Sequence, residues 1–244
     1  MLVRLEIRCL SAAYYWALQG CLFVCVLAAL AASGQLALAQ PAPPAPPSRF
    51  IVVLDAAHGG DDTGGRLSNG QFEKSFTLAI SVRLRSLLAV RGIQVVTTRD
   101  ADATIDPNRR AEIANHAQAL ACLSLHASES GSGVYLFASS LPPAAPARFP
   151  AWKTAQAAWV TRSLKLTGVL NSALLNAGMS VTMARYPLPV VDSMTCPAVA
   201  VEIAPEQGAG HEKSGGLDDR NYQARVAAAL AAALVEWRTE ARQP

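Results

Sequence analysis

Charge is scarce in this 244-residue chain: Asp, Glu, Lys and Arg make up 16% of it, and the formal net charge is +3. Average usage is nearer a quarter, ~25%. No block of basic residues stands out, so nucleic-acid binding has no electrostatic support. Internal repeats are lacking. No glycine-x-serine-x-glycine elbow surrounds Ser124 or Ser128, and Cys122 has no activating neighbour in sequence; neither type of nucleophile is supported. No convincing lipobox precedes a cysteine, Leu18-Gln19-Gly20-Cys21 being a poor match. Histidine is rare at four residues, which makes the position of each informative.

What is present begins with an export leader at residues 1–39. Arg4 and Arg8 give a positive start, Cys21 to Ala32 is a charge-free apolar run, and Ala37-Leu38-Ala39 suits cleavage before Gln40. An uncleaved leader would act as an N-terminal anchor, because about 20 apolar residues can span a bilayer. Gln19, Gly20, Ser33, Gly34 and Gln35 interrupt the stretch and favour cleavage. Residues 40–48 carry five prolines in nine positions, an extended linker without helical or sheet character. The folded part is expected at 49–240, a length that suits one domain. Three of the five cysteines fall in the leader. Cys122 and Cys196 sit in apolar stretches, where buried free thiols are expected and a disulfide is the alternative in an oxidising compartment.

Short β-branched runs alternate with helical periodicity from Arg49 onward. Strands are expected at 49–54, 94–98, 121–125, 133–137 and 198–203. Helices are expected at 73–91, closed by Gly92, and at 106–117, with Asp106 as cap and Pro107 in the first turn. Two more are expected at 152–176, in one or two pieces, and at 222–238. This pattern predicts an α/β fold: a single domain with a mixed, mostly parallel central sheet and helices on both faces. Functional groups in such sheets gather beyond the carboxyl ends of strands. His58, His126 and Glu202 all lie at or near such ends.

A hydrolytic zinc site needs about three His, Asp, Glu or Cys ligands and an open position. His58 and His126 each follow an apolar strand, away from any core-facing periodicity. Glu73 opens the first long helix, where a carboxylate is favoured in any case. Glu202 lies in the apolar run Val199 to Ile203, where an ionised side chain is costly without a partner. His116 is expected to face solvent on its helix, with Glu112 as a surface partner. His211, in a polar loop, is a substitute ligand.

These residues fall in blocks that resemble the zinc-dependent N-acetylmuramoyl-L-alanine amidases of the type-3 catalytic domain. The blocks are Ile51 to Gly60, Glu73-Lys74, Thr98 to Asp100 with Arg110 to Asn115 and Leu123 to Ala127, and Val201 to Ile203. The similarity is dense over 51–137, thin over 138–197, and returns from 198. The resemblance implies Zn2+ held by His58, Glu73 and His126, with Glu202 acting on the water that the metal activates. It implies a peptidoglycan hydrolase that cuts between N-acetylmuramic acid and L-alanine of the stem peptide, exported to the periplasm or held at the membrane by a retained leader. It leaves any activator protein unidentified and reads Arg99, Arg110 and Asn115 as structural support. The chain departs from the family at Ala56-Ala57, at Ser128 and at Ala204-Pro205. Ala56-Ala57 and Ala204-Pro205 motivate one alternative, a non-catalytic wall-binding or regulatory module on the same fold; a zinc peptidase that cuts within the stem is a second, since it would share the metal site.

Overall fold

The structure, a computed structural model, describes residues 49–146, 151–207 and 213–241. The leader, the linker and His211 lie outside the described residues. Six strands form one sheet in the order β2-β1-β3-β6-β4-β5: β1 (Ile51–Ala56), β2 (Gln94–Thr97), β3 (Ala121–Ala127), β4 (Val134–Ser139), β5 (Val181–Tyr186) and β6 (Ala198–Ile203). The strands β2, β1, β3 and β6 run parallel, β4 is antiparallel to β6, and β5 runs parallel to β4. Glu206–Gln207 (β7) and Lys213–Gly215 (β8) make a small separate ribbon. The sheet is mixed and mostly parallel, as expected.

Helices cover both faces, because the central strands are apolar on both sides. On one face α1 (Glu73–Ala89), α3 (Val160–Asn176) and α5 (Arg220–Glu240) pack against Val52, Leu54, Leu123, Leu125, Val199 and Val201. On the other, Val53, Cys122, Ala198 and Ala200 cluster with residues of two short helices, α2 (Pro107–His116) and the single turn α4 (Pro189–Asp192). That cover ends early. Strand alternation puts His126 on the face of Cys122, and Glu202 on the face of Ala198 and Ala200. Both therefore emerge past the edge of the second layer, where the sheet is open.

The expected region 152–176 is two pieces, a 3-10 segment (Trp152–Ala158) followed by α3. Asp106 caps α2, accepting from the Asn108 amide at 2.8 Å, with Pro107 in the first turn. β5 and α4 are elements that the sequence pattern does not predict. His126 lies inside β3, one position short of its end, rather than after the strand.

The cysteines correct an expectation. Cys122 and Cys196 are buried but are not free thiols: they form a disulfide with Cα atoms 6.3 Å apart. Cys122 pairs in register with Ala198, and its amide donates to the Pro197 carbonyl at 2.8 Å. This pairing brings Cys196, one residue before Pro197, within bonding range. Sequence spacing alone carries no such information.

Candidate metal centre

The site begins in the loop after β1. His58 has φ of 61°, a left-handed backbone uncommon for a residue with a side chain. Two buried arginines hold this turn. Arg110 donates from Nη1 to Asp55 Oδ1 at 2.8 Å and to the Ala56 carbonyl at 2.7 Å, and from Nη2 to the His58 carbonyl at 2.7 Å. Arg99 donates to the carbonyls of Ala56, Ala57 and Lys74 at 2.9, 3.0 and 2.7 Å. Asp55 accepts further from Thr98 and Ser124, so this buried charge is paired and hydrogen-bonded.

Beyond His58 the chain loops back to start α1. No side chain caps that helix; the Glu73 and Lys74 amides donate to the Gly65 and Thr63 carbonyls at 2.8 and 3.2 Å. The loop thus satisfies the open end of the helix and fixes Glu73 beside His58. Gly64, at φ of 64°, has to be glycine: a Cβ there would come 2.6 Å from His58 Cδ2 and 2.7 Å from Glu73 Oε2.

Three side chains converge as a result. His58 Nε2 lies 3.1 Å from Glu73 Oε2, and His126 Nδ1 lies 3.2 Å from Glu73 Oε1. The two imidazoles meet edge to face, with centroids 5.6 Å apart. One ligand atom from each of the three residues falls within 4.8 Å of the others, so the group could hold a metal ion. The donor chemistry fits zinc: two imidazole nitrogens and one carboxylate oxygen on a partly open surface. Glu73 is buried, which by itself raises its pKa. Hydrogen bonds from His126, from His58 and from the Gly65 and Ala127 amides outweigh that burial and hold the carboxyl well below the usual range. His58 is shifted up, first by its hydrogen bond to Glu73, against the effect of burial and with help from Asp62.

Asp62 belongs to this cluster and is not singled out by the sequence pattern. Its Oδ1 lies 2.8 Å from His58 Nδ1, which turns Nε2 toward Glu73. An aspartate in a glycine-rich loop reads as a turn former, so only its four-residue spacing from His58 could have signalled it. Asp102 was missed too: it accepts from the Gly60 amide and from Lys74, tying the loop down.

Glu202 pairs in register with His126 on β3 and with Tyr135 on β4. Burial raises its pKa, the nearby His126 lowers it, and Glu73 raises it, with a net upward shift. The Ala204-Pro205 departure is absorbed by the backbone, since Ala204 donates to the Gly133 carbonyl and the Pro205 carbonyl accepts from Gly133. The other sequence candidates stay apart. His116 is exposed on α2, with Nδ1 against the Glu112 carbonyl, and the Glu112 carboxylate pairs with Arg109 instead. Asn115 ties α2 to Ser193 and Thr195, a structural role.

A doubly covered α/β sheet that gathers two imidazoles and a carboxylate around the ends of β1 and β3 defines a single-domain protein with the donor set of a metal site. Residues 52–236 match the family described as N-acetylmuramoyl-L-alanine amidase, and the chain belongs to that family. It is 40% identical over 94 residues to the N-acetylmuramoyl-L-alanine amidase AmiA of Escherichia coli K12, covering 37% of this chain and 32% of that one. It is 32% identical over 95 residues to the germination-specific amidase of Bacillus subtilis, covering 33% and 40%. The matched segments thus span between about a third and two-fifths of these relatives' own length. The catalytic domain of the amidase CwlV from Paenibacillus polymyxa superposes with a TM-score of 0.60 at 25% identity, covering 78% of this chain and 98% of that one.

Proposed function

We propose that this chain is a zinc-dependent peptidoglycan hydrolase that cleaves the amide between N-acetylmuramic acid and L-alanine of the stem peptide. The observation that carries it is the convergence of His58, Glu73 and His126 beside Glu202 in a chain of the amidase family. His58 Nε2, His126 Nδ1 and Glu73 would hold the ion. Zinc bound there supplies a Lewis acid for the scissile carbonyl and makes water acidic enough to attack near neutral pH. Glu202 takes the proton from the attacking water and delivers it to the departing L-alanine amine. Asp62 keeps His58 in the tautomer that presents Nε2.

The substrate lies outside the cytoplasmic membrane, so this reading requires export. Residues 1–39 serve as leader or anchor, 40–48 as linker and 49–240 as catalytic domain. Among the described residues no helix is long and apolar enough to cross a membrane.

Digestion of purified muropeptides, followed by mass spectrometry, tests the proposal. Zinc-loaded protein is expected to release stem peptides with a free L-alanine amine and to leave bare glycan, and Glu202→Gln to release none. Fragments cut within the stem would identify a peptidase instead. Zinc uptake without any release would identify a binding module.

A further inference from the structure

The open face around Glu202 has two flanks of opposite chemistry, and both touch Glu202 and His126. One is a cleft of about 280 Å³ lined by Phe137, Tyr186, Leu188 and Ala200 besides those two. Phe137 stacks on Tyr135 along β4, with ring centroids 6.2 Å apart and planes 7° from parallel. Tyr186, at the end of edge strand β5, is 62% exposed. Among the described residues no arginine or lysine lines this cleft. The nearest one in sequence, Arg185, is spent on the Ser139 and Leu141 carbonyls at 3.0 and 2.6 Å. The opposite flank is polar, with Arg66, Ser128 and Ser130 among its lining. Glu73, Glu129 and Glu202 also line it, and Glu129 accepts from the amide and hydroxyl of Ser68 at 2.9 and 3.0 Å.

We propose that Tyr186, with Phe137 and Leu188, forms the glycan-side subsite, and that the Arg66 flank receives the stem peptide. The assignment rests on the amidase reading above and adds the direction in which substrate lies. The scissile amide separates a neutral pyranose from a peptide whose later residues carry carboxylates. A sugar ring presents apolar C–H faces and an acetyl methyl, which pack on aromatic rings without an ionic partner. Among the described residues no arginine or lysine lines the Tyr186 cleft to replace the hydration that a stem carboxylate would lose there. On the opposite flank the Arg66 guanidinium can pair with that carboxylate through two parallel hydrogen bonds. Glu202 borders both clefts, so the bond between sugar and peptide falls beneath it.

Binding of the two product halves tests this independently of turnover. The probes are the disaccharide N-acetylglucosaminyl-N-acetylmuramic acid and the dipeptide L-alanyl-D-glutamate, titrated by NMR into the zinc-loaded full chain. Tyr186→Ala is expected to weaken the disaccharide roughly fivefold and to leave the dipeptide unchanged; Tyr186→Trp is expected to restore it. Arg66→Gln is expected to do the reverse, weakening only the dipeptide. Both side chains are exposed, and unchanged thermal midpoints confirm that the variants fold. Tyr186→Ala weakening the dipeptide alone, both variants weakening both probes, or no binding of either probe by the parent would each overturn the assignment. A parent that binds both probes with this selectivity, yet frees no peptide from muropeptides, would sink the hydrolase reading and leave the two subsites standing.

Discussion

A metal-binding histidine is only as good as the group that holds its other nitrogen. Asp62 performs that task for His58 at 2.8 Å, while His126 Nε2 lies 3.4 Å from Ser124 Oγ. Loss of such an outer partner typically costs metal affinity by roughly 10- to 100-fold. Asp62→Ala is therefore expected to bind zinc at least tenfold more weakly (~10-fold or more), read by competition with a chromophoric chelator, with its fold intact. Glu202→Gln separates the roles from the other side. Proton transfer by a placed side chain contributes roughly 100- to 10,000-fold, so turnover should fall by that factor while zinc content stays stoichiometric. Loss of zinc in that variant would instead make Glu202 a ligand. At this scale the sequence is informative where residue type is scarce. His58, His126 and Glu202 stand out at strand ends, and Glu73 opens a helix. Asp62 does not stand out, because aspartate is common in glycine-rich turns and its partnership with His58 exists only once the loop closes.

The strands β3 and β6 carry His126 and Glu202 side by side, and two features lock them in that register. One is the parallel ladder from Cys122↔Ala198 to Ala127↔Ile203; the other is the Cys122–Cys196 disulfide at its far end, across a sequence separation of 74. Closing so long a loop constrains the unfolded chain, a contribution of about 2–4 kcal/mol. The double variant Cys122→Ala, Cys196→Ala should lose that much in guanidinium unfolding, and the wild type should lose it when reduced. Equal midpoints for oxidised and reduced protein would show that the bridge contributes nothing. The Asp55–Arg110 pair locks the β1 loop in the same way, both side chains being buried. Arg110→Met leaves that carboxylate without its cation and should destabilise by roughly 3 kcal/mol. Elements were legible in proportion to their burial. β1, β3 and β6 are apolar runs enclosed on both faces, so composition reveals them. The residues of β5, Val181 to Tyr186, are nearly all exposed and mix Thr, Met and Arg; pairing with β4 makes that segment a strand, and its own pattern does not. The disulfide was illegible for a related reason, since it depends on a register between segments far apart in the chain.

Across the whole molecule the three candidate ligands come from three places, the loop after β1, the first turn of α1 and the end of β3, so a bound ion would add to the hydrogen bonds that already link these parts. Binding to the folded state alone stabilises it by about 4 kcal/mol when free zinc is a thousand times Kd. At roughly 2–4 °C per kcal/mol for a domain of this size, the melting midpoint should rise by about 10 °C over chelator-treated protein. His126→Ala should abolish most of that rise. The proton competes with zinc for the same nitrogen. His58 has a folded pKa above 6.5, raised first by its hydrogen bond to Glu73. In metal-free protein its contribution to stability is therefore fully present below the unfolded value and disappears as pH rises through the folded one. Zinc binding has the opposite dependence, because the imidazole has to be unprotonated to act as a ligand. The zinc-induced rise should consequently be small in mildly acidic buffer and reach its full size only above the raised pKa of His58. Calorimetry of metal-free and zinc-loaded protein on either side of that pH checks it. A rise of equal size at both would mean that His58 is not displacing a proton when zinc binds, and that the ion is held elsewhere.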